Sequence, residues 1–133
     1  MKPSVFEIAS QAREIFCRLL VDAVGTSQTK GSCLYASVLL STLINQFGDC
    51  TKAVVRGGDG AGDGGYCAPD GSWYGHYWVE VAQASNTLVA DITADQFGLS
   101  PVLVLPMVEA HSYVAGNQNL VDTHIAEQFP AHA

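Results

Sequence analysis

Positive charge is scarce in this chain of 133 residues. Six Lys and Arg residues stand against thirteen Asp and Glu residues, and the formal net charge is −7 at pH 7. The basic residues form no run along the sequence. Because phosphate backbones and anionic lipid headgroups are bound by clustered cations, we expect neither nucleic acid nor a membrane surface as a partner.

Long hydrophobic runs are missing as well. No stretch reaches the roughly eighteen consecutive apolar residues of a membrane-spanning helix, and residues 1–7 do not have the hydrophobic segment of a signal peptide. The expectation is a cytoplasmic protein, with a secreted or injected effector as the alternative. Because 48% of the residues are hydrophobic and 14% are charged, the composition predicts a single domain over residues 1–133.

Metal-binding cysteine pairs are absent too. Cys17, Cys33, Cys50 and Cys67 are spread along the chain without the CxxC spacing that begins a zinc site. Secreted scaffolds held together by disulfides are usually shorter and richer in cysteine. We therefore expect mostly reduced thiols, no metal and no cofactor.

Glycine is concentrated in one segment. Residues 57–71 hold seven of the thirteen glycines and contain the pattern GxGxxG at 60–65. The pattern precedes a predicted strand rather than a helix, and Asp59 and Asp63 would repel phosphate, so a nucleotide site is not indicated. The segment predicts either a flexible active-site lid or a surface loop.

Hydrophobic periodicity predicts two helices near the N-terminus. Ser4 and Glu7 fit a capping box, which starts a helix that ends near Gly25. A second helical pattern begins at Ser32-Cys33 and ends at Gly48, so Cys33 belongs to its first turn. The expected apolar stripe of the first helix consists of Ile8, Ala12, Ile15, Leu19 and Ala23.

Alternating segments at 73–81 and 86–93 predict two antiparallel strands. In the expected register His76 lies directly opposite Asp91, with Cβ atoms about 5 Å apart. A shift of one residue would put the two side chains on opposite faces. The remaining predicted elements are a strand at 52–56, a border strand at 101–106 and a last helix at 120–129. The predicted fold class is α+β, with the N-terminal helices packed on a small antiparallel sheet.

Cys33, His76 and Asp91 are the candidate catalytic residues. A helix N-terminus and a neighbouring imidazolium both favour a thiolate. If the sheet face bearing His76 packs against the start of the second helix, the imidazole can take the thiol proton and return it to a leaving group. Asp91 would then orient the ring. The alternatives for these residues are a buried cysteine without catalytic function, and a zinc site formed by the same three side chains.

Three segments carry a resemblance to a known enzyme family. They are Gly31-Ser32-Cys33 at the start of a helix, His-Tyr-Trp-Val-Glu-Val at 76–81, and Val-Ala-Asp-Ile-Thr at 89–93. Over residues 28–97 the chain resembles the transglutaminase-like branch of the papain-like cysteine protease superfamily. Many members carry an aromatic residue directly after the nucleophile, where this chain has Leu34. The resemblance implies a papain-like core and a Cys-His-Asp triad.

The resemblance also implies a donor for the oxyanion of the intermediate. Gln28, five residues before Cys33, is the candidate, and a solvated loop glutamine is the alternative. Trp73 and Tyr74 are candidates for lining a substrate groove. Trp78 shares the predicted face of His76 and is a third substrate-binding candidate, with packing in the core as the alternative.

The expected activity is thiol-dependent acyl chemistry on a peptide or protein amide through a thioester. Peptidase or amidase activity is favoured because the chain is little longer than the resembling core. Glutamine deamidation, transglutaminase-type acyl transfer and a catalytically silent peptide-binding domain of the same fold remain alternatives. The sequence leaves open the oligomeric state and whether a partner protein completes the site.

Overall fold

A computed structural model describes residues 2–24, 32–49 and 51–129. The fold is α+β, as predicted, and its N-terminal helices pack on a small antiparallel sheet. The helices are α1 (Val5–Val24), α2 (Cys33–Phe47) and α3 (Gln118–Gln128). The strands are β1 (Lys52–Gly58), β2 (Gly65–Cys67), β3 (Trp73–Tyr74), β4 (His76–Ala82), β5 (Thr87–Asp91), β6 (Leu103–Pro106) and β7 (Tyr113–Val114).

The capping box of α1 forms as predicted. The Ser4 N–H donates to Glu7 Oε1 at 2.9 Å, and the Glu7 N–H donates to Ser4 Oγ at 3.1 Å. The buried face of the helix differs from the expected stripe, because Ile15 and Leu19 are 41% and 55% exposed. The buried residues of α1 are Val5, Ile8, Ala9, Ala12 and Phe16, so the predicted stripe is confirmed at Ile8 and Ala12.

The main sheet has the strand order β1-β4-β5-β6, and β6 lies at its border as predicted. Its helix-facing side forms the main core with α1 and α2, through residues such as Leu40, Ile44, Val79 and Ala90. The opposite side carries Trp78 and Val89, which pack with Ala110 and Tyr113. Hence both faces of β4 are covered.

The register of the β4–β5 hairpin differs from the expected one. Val79 pairs with Ala90 rather than with Leu88, a displacement of two residues. The hairpin turn sets this register, because the Gln83 N–H donates to the Asn86 carbonyl at 2.9 Å and Ala82 pairs with Thr87. Side chains alternate with a period of two, so His76 and Asp91 keep a common face. Their contact is diagonal instead of directly across the ladder.

The glycine-rich segment is more ordered than the expected loop. β1 continues to Gly58, β2 lies within the segment, and the expected strand 73–81 is divided into β3 and β4. β3, β2 and β7 form a second sheet in that order. Gly60 has a φ of 77°, and a Cβ there would lie 2.5 Å from the Gly75 nitrogen. This close approach requires glycine and bends the chain between the two sheets.

Replacing serine by alanine should change the stability of the protein in opposite directions at Ser4, which caps α1, and at Ser10, which lies inside α1. Ser4→Ala removes the side-chain acceptor of the Glu7 N–H and lowers the free energy of unfolding by about 1 kcal/mol. Ser10→Ala, inside the same helix, raises helix propensity and changes stability by less than about 0.5 kcal/mol in the stabilising direction. Urea denaturation followed by circular dichroism measures both. Equal destabilisation by the two variants would contradict the capping role of Ser4.

Candidate active site

The structure brings the three predicted catalytic residues together. Cys33 is the first residue of α2, His76 the first of β4, and Asp91 the last of β5. His76 Nε2 lies 2.7 Å from Asp91 Oδ2, and Cys33 lies close enough to His76 to raise the pKa of its imidazole. Since Nε2 is used by Asp91, Nδ1 is the ring nitrogen left for the thiol.

The three candidate residues meet at the ends of their elements. The body of α2 packs on the other side of β4, which carries Val79 and Val81, so the face bearing His76 meets only the start of α2. The side of His76 faces Tyr113 and Tyr66 of the second sheet. Cys33 therefore reaches His76 from the N-terminus of α2, at the point where β4 begins.

Asp91 is a buried carboxylate with four donors. Its side chain is 2% exposed. Oδ1 accepts from the Thr93 N–H at 2.8 Å and from Thr93 Oγ1 at 3.2 Å. Oδ2 accepts from the Tyr113 hydroxyl at 2.7 Å as well as from His76. A buried carboxylate needs such partners, and here each oxygen has two.

Aromatic rings enclose the His76 imidazole, whose residue is 1% exposed. Phe97 meets it edge-on with centroids 4.9 Å apart, and Trp78 and Tyr113 lie with centroids at 6.0 Å. Trp78 was expected to contact substrate, but it is 1% exposed and packs beside His76 in the core. Its side chain supports the imidazole from within the protein.

Burial alone would lower the pKa of His76. Hydrogen bonds from the ring to Asp91 and Cys33, together with the charges of these partners, outweigh burial and raise the pKa to about 9. The imidazolium is therefore the favoured form of His76 at neutral pH. A protonated ring beside a thiol is the arrangement that a thiolate nucleophile requires.

A cleft of about 570 Å³ opens at Cys33. Cys33 is half-buried and lines the cleft, whereas the His76 ring lies behind it. The other lining residues are Tyr66, Ala68, Pro69, Tyr74, Gly75, Gln96 and Phe97. Of the two residues predicted to line a substrate groove, Tyr74 lines this cleft, and Trp73 is its exposed neighbour in β3, outside the lining.

Gln96 is one of three residues beside the candidate catalytic residues that the sequence pattern does not indicate. Its Nε2 lies 3.4 Å from His76 Nδ1 and donates to the Thr93 carbonyl at 3.0 Å. It belongs to the 3₁₀ turn Ala94–Phe97, which Arg13 of α1 anchors through a two-pronged ion pair with Asp95, at 2.8 Å and 3.1 Å. Gln28, the expected oxyanion donor, lies outside the described residues.

The other missed residues are Thr93 and Tyr113. The Asp-x-Thr spacing is a usable signal for Thr93, because an Asp side chain commonly accepts from the backbone N–H two residues later. Tyr113 comes from a two-residue strand 22 positions after Asp91. So short a strand has no periodicity that predicts its place.

The zinc alternative does not fit this geometry. His76 Nε2 is bonded to Asp91 itself, so the two groups do not face a common point. Across residues 2–24, 32–49 and 51–129, no three His, Cys, Asp or Glu side chains are grouped to hold a metal ion. Cys17, Cys33 and Cys67 are free thiols, and Cys50 lies outside the described residues.

Comparisons with protein-family models, curated proteins and solved structures found no match to this chain. The family resemblance therefore remains a prediction from three motifs. In the part of the chain that the structure describes, no helix has the length and apolar character needed to cross a membrane.

The site predicts how His76 titrates. In the wild-type protein the imidazolium should lose its proton near pH 9. Asp91→Asn removes the main partner that raises the pKa and leaves burial and Cys33, so the pKa should fall well below 9. ¹⁵N NMR of the imidazole measures this directly. Asp70→Asn, which removes a negative charge from an exposed turn, is the matched control. Equal titration of His76 in wild type and Asp91→Asn would contradict the assigned pair.

Proposed function

We propose that this protein is a cysteine peptidase or amidase acting on a peptide or protein amide through a thioester on Cys33. The observation that carries the proposal is the order Cys33–His76–Asp91, with the thiol lining a cleft and the charged pair buried behind it. The papain-like core implied by the resemblance is part of this proposal.

The first half of the reaction acylates Cys33. The thiolate Sγ attacks the amide carbonyl carbon, and the electron pair of the C=O bond moves to oxygen. When this intermediate collapses, the C–N bond breaks and the His76 Nδ1–H protonates the departing amine. The products are a thioester on Cys33 and a free amine, and His76 is left neutral.

The second half releases the acyl group. His76 Nδ1 takes a proton from water as the water oxygen attacks the thioester carbonyl. The C–S bond then breaks, which gives a carboxylic acid and restores the thiolate beside the imidazolium. Deamidation of glutamine and transfer to an amine share the first half reaction, and they differ in the amide attacked or in the nucleophile that resolves the thioester.

The start of α2 supplies electrostatic support for both steps. The first backbone hydrogen bond of the helix runs from the Ala36 N–H to the Ser32 carbonyl. The N–H of Cys33 comes before that bond in the chain. It is one of the first N–H groups of the helix, which have no acceptor within the helix. An N–H of this kind beside the nucleophile can donate to the oxyanion of the intermediate, a contribution of about 3 kcal/mol per donor in known enzymes.

Alkylation by iodoacetamide tests the nucleophile. At pH 6 an ordinary thiol, with a pKa of about 8.5, is almost fully protonated. Cys33 should react at that pH at least about tenfold faster than Cys17 or Cys67, because the imidazolium favours its thiolate. Mass spectrometry of each cysteine gives the rates. His76→Ala should remove the advantage, and His111→Ala, at an exposed histidine, should keep it. Equal rates for the three cysteines at pH 6 would reject the proposal.

The products of a peptide mixture distinguish the acyl reactions. A digested proteome with blocked amino termini is incubated with the protein and a primary amine, and the peptides are read by mass spectrometry. New amino termini support the peptidase, and side-chain or terminal amides converted to acids support an amidase. Incorporation of the primary amine into peptides would show that the thioester is resolved by acyl transfer instead of hydrolysis. All products should disappear in Cys33→Ser. Peptide retention by both proteins without any product would establish a silent binding domain and overturn the proposal.

A further inference from the structure

Tyr113 reaches the triad from the second sheet. It lies on β7, where it pairs with Tyr66 of β2, and its hydroxyl donates to Asp91 Oδ2 at 2.7 Å. β2 also carries part of the cleft wall. Tyr113 is therefore a direct link between the sheet that forms the cleft and the carboxylate that holds the catalytic imidazole.

Tyr113 and His76 share one carboxylate oxygen. Both donate to Oδ2 of Asp91 at 2.7 Å, whereas both bonds from Thr93 go to Oδ1. Thr93 thus already holds the carboxylate in place from the other side. A neutral donor on a carboxylate oxygen stabilises its negative charge and weakens its attraction for a second, cationic donor. The position of the Tyr113 hydroxyl makes it a competitor of the imidazolium.

We propose that Tyr113 is a positioning residue that limits the basicity of His76 by sharing Asp91 Oδ2, so that the imidazolium can release its proton to the leaving group. The catalytic part of this statement rests on the proposed function. An acid that is held too tightly by its carboxylate is a poor proton donor, and general acids work best with a pKa near the working pH. Tyr113 weakens this hold without removing the carboxylate that orients the ring.

Among the described groups that face His76, Tyr113 is the one placed to limit the basicity of the imidazole. The titratable side chains facing the ring are Cys33 from α2, Asp91 from β5, Tyr66 from β2 and Tyr113 from β7. The other contacts, from Trp78, Gln96 and Phe97, carry no charge. Burial and the neighbouring Asp91 charge raise the pKa of Tyr113. Its hydroxyl therefore stays protonated and remains a donor wherever His76 titrates.

The test is the titration of His76 in Tyr113→Phe, read by ¹⁵N NMR of the imidazole. This variant keeps the ring that packs on Trp78 and loses the hydroxyl. The titration midpoint of His76 should move upward by about 1 pH unit, a tenfold change in proton affinity. Tyr35→Phe is the matched control, because it removes a hydroxyl that bonds Gln128 at the surface and should leave the midpoint unchanged.

The sign of the shift separates charge sharing from a structural role. If Tyr113 only held Asp91 in place, its loss would weaken the His76–Asp91 pair and move the midpoint downward, as in Asp91→Asn. A downward shift or no shift overturns the proposal. Should Tyr113→Phe fail to fold, replacement of Tyr113 by 3-fluorotyrosine keeps the ring and strengthens the donor. The midpoint should then move downward, and an unchanged midpoint overturns the proposal.

The readout is independent of the activity of Cys33. An upward shift in a protein whose Cys33 is no more reactive than Cys17 supports the charge sharing and rejects the proposed function. The opposite result is also possible: Cys33 is alkylated rapidly at pH 6, and Tyr113→Phe leaves the titration midpoint of His76 unchanged. That result supports the proposed function and rejects the role of Tyr113.

Discussion

The buried carboxylate of Asp91 is the constraint on which the site depends. An unpaired charge in a protein interior is costly, so a fold that buries an Asp must bring donors to both of its oxygens. Three segments meet this need for Asp91 at the end of β5: the chain directly after β5 provides Thr93, β4 provides His76 and β7 provides Tyr113. The arrangement that satisfies the carboxylate also fixes the orientation of the imidazole.

The second sheet both forms part of the cleft wall and covers the His76–Asp91 pair. Tyr66 stacks on Phe97 with centroids 3.9 Å apart, and both residues line the cleft at Cys33. The same sheet carries Tyr113 to Asp91 and covers the face of β4 that bears His76. Water is thereby kept from the charged pair while the thiol remains at the cleft. Burial by itself lowers the pKa of His76, and the hydrogen bonds and charges of its partners Asp91 and Cys33 outweigh that effect.

Much of the framework was predictable, and the errors have physical reasons. The capping box at Ser4 and the helix start at Cys33 depend on local chemistry, so they were found correctly. The β4–β5 register was displaced by two residues, because alternation encodes the face of a side chain but not its partner. An even displacement leaves the face unchanged, and the pairing of His76 with Asp91 survived for that reason. The second sheet was missed because its strands have two or three residues, too few for a periodic pattern.

By itself the sequence determined the α+β class, the element that carries each triad residue and the common face of His76 and Asp91. These properties follow from local hydrogen bonding and from hydrophobic patterns within single segments. Only the tertiary structure decided that α2 meets His76 at the start of β4, that Trp78 is buried, and that Tyr113 and Gln96 join the site. Such contacts join segments distant in the chain, and they are selected by the packing of whole elements and by the need of a buried charge for donors.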